Sequence, residues 1–162
     1  IEESWRLLMA ANKLVREPGK YFDCTSMHGK WCTITLVGQD VGYARVGIIS
    51  SGKDYILFQF RDKKGLVAKA YVKHIVEIKM NERKLKKEQE LVVRDWEDGV
   101  NPFTYFLDKR CDIHIHQTRL FEASPGFFRA KIMFVGENII RIRENSKDYN
   151  LNQFMICGMM ES

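Results

Sequence analysis

Lys30-Trp-Cys-Thr-Ile-Thr-Leu36 is echoed by Lys109-Arg-Cys-Asp-Ile-His-Ile115: lysine, a bulky residue, cysteine, a polar residue, isoleucine, a polar residue, an aliphatic. The two phrases stand 79 residues apart, close to half of the 162-residue chain. A repeat on that scale favours two small copies of one unit over a single fold of full length. Within the first phrase Trp31, Thr33 and Thr35 alternate with Cys32, Ile34 and Leu36, the two-residue period of a β-strand.

Working outward, Gly38-Gln39-Asp40 and Gly42 carry turn chemistry, and Tyr43 to Ile49 reads as a second strand. Ser50-Ser51-Gly52-Lys53-Asp54 turns the chain into a third strand, Tyr55 to Phe60. A hairpin turn at Asp62-Lys63-Lys64-Gly65 leads to a fourth, Leu66 to Tyr71, and His74 to Ile78 is a short fifth. Five short strands with tight turns and no crossover helix predict a small, bent antiparallel barrel.

Two flanking segments read as helix. In Glu2 to Glu17, Trp5, Leu8, Met9, Asn12 and Val15 recur three or four apart, and Pro18-Gly19 ends the run. Asn81 to Val93 is charged, with Glu/Lys pairs at helical spacing, and Asp95-Trp96-Glu97-Asp98-Gly99 breaks it. The second copy opens at Asn101-Pro102-Phe103, an N-cap followed by proline, with Phe106 and Leu107 completing a short amphipathic helix. Phe127 to Phe134 then matches the second strand, Ile139 to Arg143 the third, and Leu151 to Cys157 the closing strands. Gly52 corresponds to Gly136, 84 residues on, so the second copy carries a five-residue insertion around Leu120 to Pro125. The expected organisation is a helix plus barrel at 1–79, a charged connector at 80–99 and a second barrel at 100–162. The expected fold class is mainly β, with two tandem small five-stranded bent antiparallel barrels, each preceded by a helix.

With 45% hydrophobic and 29% charged residues the chain falls in the range of folded soluble proteins. No run reaches the length of a membrane span, and the first residues lack the basic and apolar regions of a signal peptide. Cys24, Cys32, Cys111 and Cys157 show no zinc-knuckle spacing, and Cys32 and Cys111 sit inside strand patterns as buried thiols. The expected location is the cytoplasm. The net charge of +5 belongs to residues 1–80, with 13 Lys/Arg against 8 Asp/Glu; residues 81–162 carry 13 of each. A basic excess fits a polyanionic partner and points to the first copy.

A helix followed by five bent strands resembles the Sm-like domain, and three stretches resemble its bacterial Hfq branch. Asn101-Pro-Phe-x-x-x-Leu107-x-x-Arg110 resembles the opening helix and its run into the first strand. Gly52-x-x-Tyr55-Ile-Leu resembles the turn and third strand, and Lys69-Ala-Tyr71-Val-Lys73-His74-Ile75 the Tyr-Lys-His segment. Val72 separates Tyr71 from Lys73-His74, and Asn152-Gln153 is expected at the matching place in the second copy. Val37-Gly38 after the first strand is replaced by Gln117-Thr118-Arg119. The resemblance implies a ring built by pairing the fourth strand of one unit with the fifth of the next. Three two-copy chains would supply six units, the ring size of Hfq.

It also implies single-stranded RNA as ligand, with annealing or protection of RNA as the activity. Lys73 and His74 would line a pore near phosphates or a terminal ribose, and Tyr55 or Phe58 would stack a base, at most one of them given alternation. Lys69, Tyr71, Arg141, Asn152 and Gln153 complete the expected contacts, with Arg143 on the same strand face as Arg141. Asp112, His114 and His116 project from one strand face in a geometry that can hold a metal, but alternation alone explains them and no second cluster completes a site. No phosphate loop, nucleophile elbow or catalytic carboxylate pair is present, and Ser51, Ser124 and Ser146 sit in turns. The expectation is a non-catalytic RNA-binding protein without a cofactor. The rival is a protein-interaction module of two SH3-like barrels.

Overall fold

The alternation at Trp31–Leu36 becomes strand β1, which buries Cys32, Ile34 and Leu36 and leaves Trp31, Thr33 and Thr35 half-covered. The structure, a computed structural model, describes residues 22–37, 42–86, 90–97, 99–116 and 126–162. The helix expected at Glu2 to Glu17 and the insertion at Leu120 to Pro125 lie outside these residues. After β1 come β2 (Gly42–Ser51), β3 (Tyr55–Phe60), β4 (Lys63–Ala68) and β5 (Val72–Glu77). The second half holds β6 (Arg110–Ile115), β7 (Gly126–Val135), β8 (Ile139–Glu144), β9 (Lys147–Asn152) and β10 (Ile156–Glu161).

The repeat extends to its irregularities. β1 and β6 start 79 residues apart, and the other four strand pairs start 84 apart, so the extra length falls in the loop between β6 and β7. The β1–β2 register breaks between Cys32 and Ile34, and the β6–β7 register between Cys111 and Ile113. Arg45 and Arg129 share a left-handed backbone, with φ of 53° and 51°, as do Arg61 and Asn145, with 56° and 49°.

Two closed barrels do not form. The ten strands make one antiparallel sheet in the order β5-β1-β2-β3-β4-β10-β6-β7-β8-β9. Within each half the fifth strand returns to the first, but the fourth does not meet the fifth of its own half. β4 instead pairs with β10, placing Val67 opposite Gly158, Leu66 opposite Met159 and Gly65 opposite Met160. This satisfies the hydrogen-bonding groups of two strands that would otherwise be edges. Gly65 permits it, because a Cβ there would run into the Phe58 ring and the Met159 carbonyl. β5 and β9 remain as the outer edges among the described strands.

Within the described residues the connector and the segment before β6 hold less helix than expected. Before β6 the chain makes only a 3-10 turn, Pro102–Phe106, capped by Asn101 Oδ1 accepting from Phe103 N–H at 3.0 Å. Before β1 the described chain has a 3-10 turn at Thr25–Met27. In the connector one helical turn forms, Glu82–Leu85, with Asn81 Oδ1 accepting from Lys84 N–H at 2.8 Å. Residues 90–97 then lie irregularly across the first half, Leu91 against Gly47 and Trp96 against Gly52, while Arg94 N–H donates to the Ile49 carbonyl at 3.1 Å. Burying Leu91 and Trp96 outweighs the small stability of an isolated charged helix. The fourth and fifth strands end earlier than read, separated by a 3-10 turn at Lys69–Tyr71 that Gln153–Met155 repeats.

Two buried clusters lie along the sheet, and each draws on both halves. One gathers Ile34, Leu36, Tyr43, Ile48, Phe58 and Val67 with Cys157. The other gathers Phe103, Phe106, Ile113, Ile132 and Met159 with Ile49, Leu57 and Leu66. All four cysteines are buried free thiols. Burial pushes the Cys32 thiol up to about 11 and those of Cys111 and Cys157 up to about 12. Among the described residues no helix is long and apolar enough to cross a membrane.

Candidate nucleic-acid interface

Several of the residues expected to touch RNA have structural partners. Lys69 is buried, donating from Nζ to the Phe22 carbonyl at 2.9 Å, with the Phe22 ring centroid 5.5 Å away. Tyr71 Oη donates to the Phe154 carbonyl at 2.7 Å, and its ring lies 5.1 Å from that of His116. Tyr55 meets Phe103 edge-on at 5.4 Å. Gln153 is buried: Nε2 donates to the Gly136 carbonyl at 2.8 Å and the Ile139 carbonyl at 3.1 Å, and Oε1 accepts from Asn101 Nδ2 at 3.1 Å. Asn152 Oδ1 caps the following turn by accepting from Phe154 N–H at 2.9 Å.

The register between the copies also needs correction. Lys69 N–H bonds the Asp54 carbonyl at 2.8 Å as Gln153 N–H bonds the Asn138 carbonyl at 3.0 Å. Gln153 is therefore the counterpart of Lys69, and Lys73-His74 match Cys157-Gly158 rather than Asn152-Gln153. The insertion around Leu120 to Pro125 hides this in a single-offset reading.

Lys73 and His74 are exposed, on edge strand β5. They border a cavity of about 330 Å3 with Phe22, Asp23, Met27 and Ile75. Asp23 is held below the usual carboxylate range by hydrogen bonds from the Thr25 side chain and backbone.

A second surface lies on β7–β9. Arg141 is exposed, its Nε donating to Asn150 Oδ1 at 3.2 Å and its guanidinium 6.0 Å from the Phe134 ring centroid. Phe134 pairs with Arg141 across the strands and is 52% exposed, far from core burial. Ile139 and Asn152 form the next pair, also exposed, and Arg143 makes a two-bond ion pair with Asp148 at 2.7 and 3.2 Å. In the first half the positions of Arg141 and Asn150 are Leu57 and Leu66, buried in the cluster against which Leu91 and Trp96 pack. The same sheet face is thus roofed in one copy and open in the other. Phe134 and Asn150 were not singled out from sequence, although both share strand alternation with residues that were.

Asp112, His114 and His116 each have partners elsewhere. Asp112 Oδ1 accepts from Arg129 N–H at 2.9 Å and Ser162 Oγ at 3.3 Å, while His114 Nδ1 lies 2.9 Å from Tyr43 Oη. His116 packs on Tyr71. Among the described residues no group of three His, Cys, Asp or Glu is spaced to hold a metal. Burial lowers the His114 pKa, opposed by the charge of Asp112, and burial raises that of Tyr43. Both histidines join the second half to tyrosines of the first.

No protein-family model matches the chain, and no curated protein or solved structure matches it significantly.

Proposed function

We propose that the chain is a non-catalytic, Sm-like protein that binds single-stranded RNA and assembles through its sheet edges. The observation that carries the RNA reading is the open β7–β9 face: an exposed phenylalanine beside an arginine and two asparagines, where the other copy has buried leucines. An aromatic ring stacks any base, a guanidinium meets phosphate, and amides bond base edges. Lys73 and His74 add a second exposed patch on the more basic half. Assembly is supported by the β4–β10 joint, because β5 and β9, the outer edges among the described strands, are the repeat counterparts of β10 and β4. Three chains joined by that contact make six units. The cytoplasm suits this activity and the free thiols.

The test is fluorescence anisotropy of an A/U-rich oligonucleotide across a salt series, with mass measured by light scattering. Binding that weakens steeply with salt, and falls several-fold in Arg141→Ala and in Lys73→Ala with His74→Ala, is expected. A monomer that ignores RNA at low salt rejects the reading in favour of a protein-interaction module.

A further inference from the structure

Around the β6–β7 bulge lies a cleft of about 570 Å3, lined by Arg110, Gly126, Phe128, Arg129, Glu144 and Asn145. Resting on the RNA reading, we propose that this cleft grips one nucleotide of the strand, its phosphate between Arg110 and Arg129 and its base on Phe128.

Backbone strain first marks the place. Arg129 has a φ of 51°, a conformation that glycine adopts readily and a long side chain does not, and Arg45 repeats it at 53° in the other copy. Strain of this kind persists where the surroundings enforce it and clusters at functional sites. Here three bonds enforce it: Arg129 N–H to Asp112 Oδ1 at 2.9 Å, Arg110 Nη1 to the Arg129 carbonyl at 3.3 Å, and Phe128 N–H to Glu144 Oε2 at 2.7 Å. The result is a fixed rim with two exposed arginines beside a phenylalanine that is 72% exposed. The volume lies within the range of small-ligand clefts.

Glu144 sets the base preference. Its carboxylate can accept from an exocyclic amino group and repels a second phosphate, so adenine or cytosine is favoured over uracil. In the first copy Trp31, Arg45, Phe60 and Arg61 occupy the positions of Arg110, Arg129, Glu144 and Asn145, with the Arg61 guanidinium 5.3 Å from the Phe60 ring. That counterpart lacks the carboxylate and so lacks the preference.

The experiment uses the whole chain, labelled hexaadenylate and hexauridylate, and two variants whose melting is measured alongside. Arg129→Gly removes the guanidinium and relieves the backbone, so it should melt no lower than the parent. It should bind hexaadenylate about fivefold or more weakly, with the salt slope reduced by about 0.7, the share of one phosphate contact. Phe128→Ser should weaken binding at least about fivefold with the slope unchanged. The parent should prefer hexaadenylate. If both variants bind like the parent while Arg141→Ala binds weakly, the grip is wrong and the RNA reading stands. Weakening in Arg129→Gly alone overturns the stacked base. A parent that binds neither oligonucleotide at low salt overturns both.

Discussion

Gln153 holds two carbonyls and one amide in a site that is 95% closed to solvent, at 5% exposure. Gln153→Ala leaves those groups without their partner, and a loss of about 2 to 3 kcal/mol in urea unfolding is expected. His114 makes a prediction in pH. Burial lowers its pKa in the folded chain below the ordinary value of 6.5, so the unfolded chain binds the proton first. The stability His114 contributes is complete above that value and is lost as pH falls through the folded pKa. Melting temperature should therefore drop on acidification below about 6.5, with His114→Gln flattening the curve; a curve equally steep in the variant would remove His114 as its cause. Residue chemistry was only partly legible in the sequence. Lys73, His74 and Lys69 were all expected as RNA contacts; Lys73 and His74 are exposed on β5, whereas Lys69 is buried. Its burial under Phe22 arises from a contact 47 residues away in the chain, which no local pattern encodes.

At the scale of elements, strand alternation was the clearest signal in β1 and β8, which bury every second residue, whereas β3 buries four residues in succession and so hides that its outer face is covered. The 84-residue spacing held through four strand pairs. The connector was illegible for the opposite reason: Leu91, Val92, Val93 and Trp96 follow no period, and of these Leu91 and Trp96 pack on the core while Val92 and Val93 are exposed. Likewise Asn101-Pro102-Phe103 gave the cap and the proline start of a helix, but only a 3-10 turn follows before β6. The β4–β10 pairing depends on shape at Gly65, where a methyl would meet the Phe58 ring and the Met159 carbonyl. Gly65→Ala should cost about 2 kcal/mol through overpacking and expose the chain between the halves to limited proteolysis. Unchanged stability and cleavage would show that the joint has slack.

For the whole molecule, the internal joint defines the register of the proposed assembly. Carrying Val67–Gly158, Leu66–Met159 and Gly65–Met160 across by the 84-residue repeat pairs Leu151 with His74, Asn150 with Ile75, and Tyr149 with Val76 between chains. Cysteines placed at Asn150 and Ile75 should form disulfides between chains under mild oxidation. On a non-reducing gel this gives a ladder that closes at three chains, whereas single-cysteine variants, with no cysteine opposite, should not cross-link at this contact. Absence of any cross-link in the double variant would remove this edge pairing. The single sheet with interlocked cores was the feature least visible in sequence, since a repeat shows that two units exist and not how they share their interiors.

Cys32 and Cys111, the middle of the twice-written phrase, sit at matching positions and are both fully buried. Each is a clock for the opening of its own half. A thiol reagent reaches them only when the surrounding strands part, so its rate at each cysteine measures how often that happens. Because each core borrows residues from the other half, the two clocks should run at one rate; a faster Cys32 or Cys111 would identify the half that opens alone.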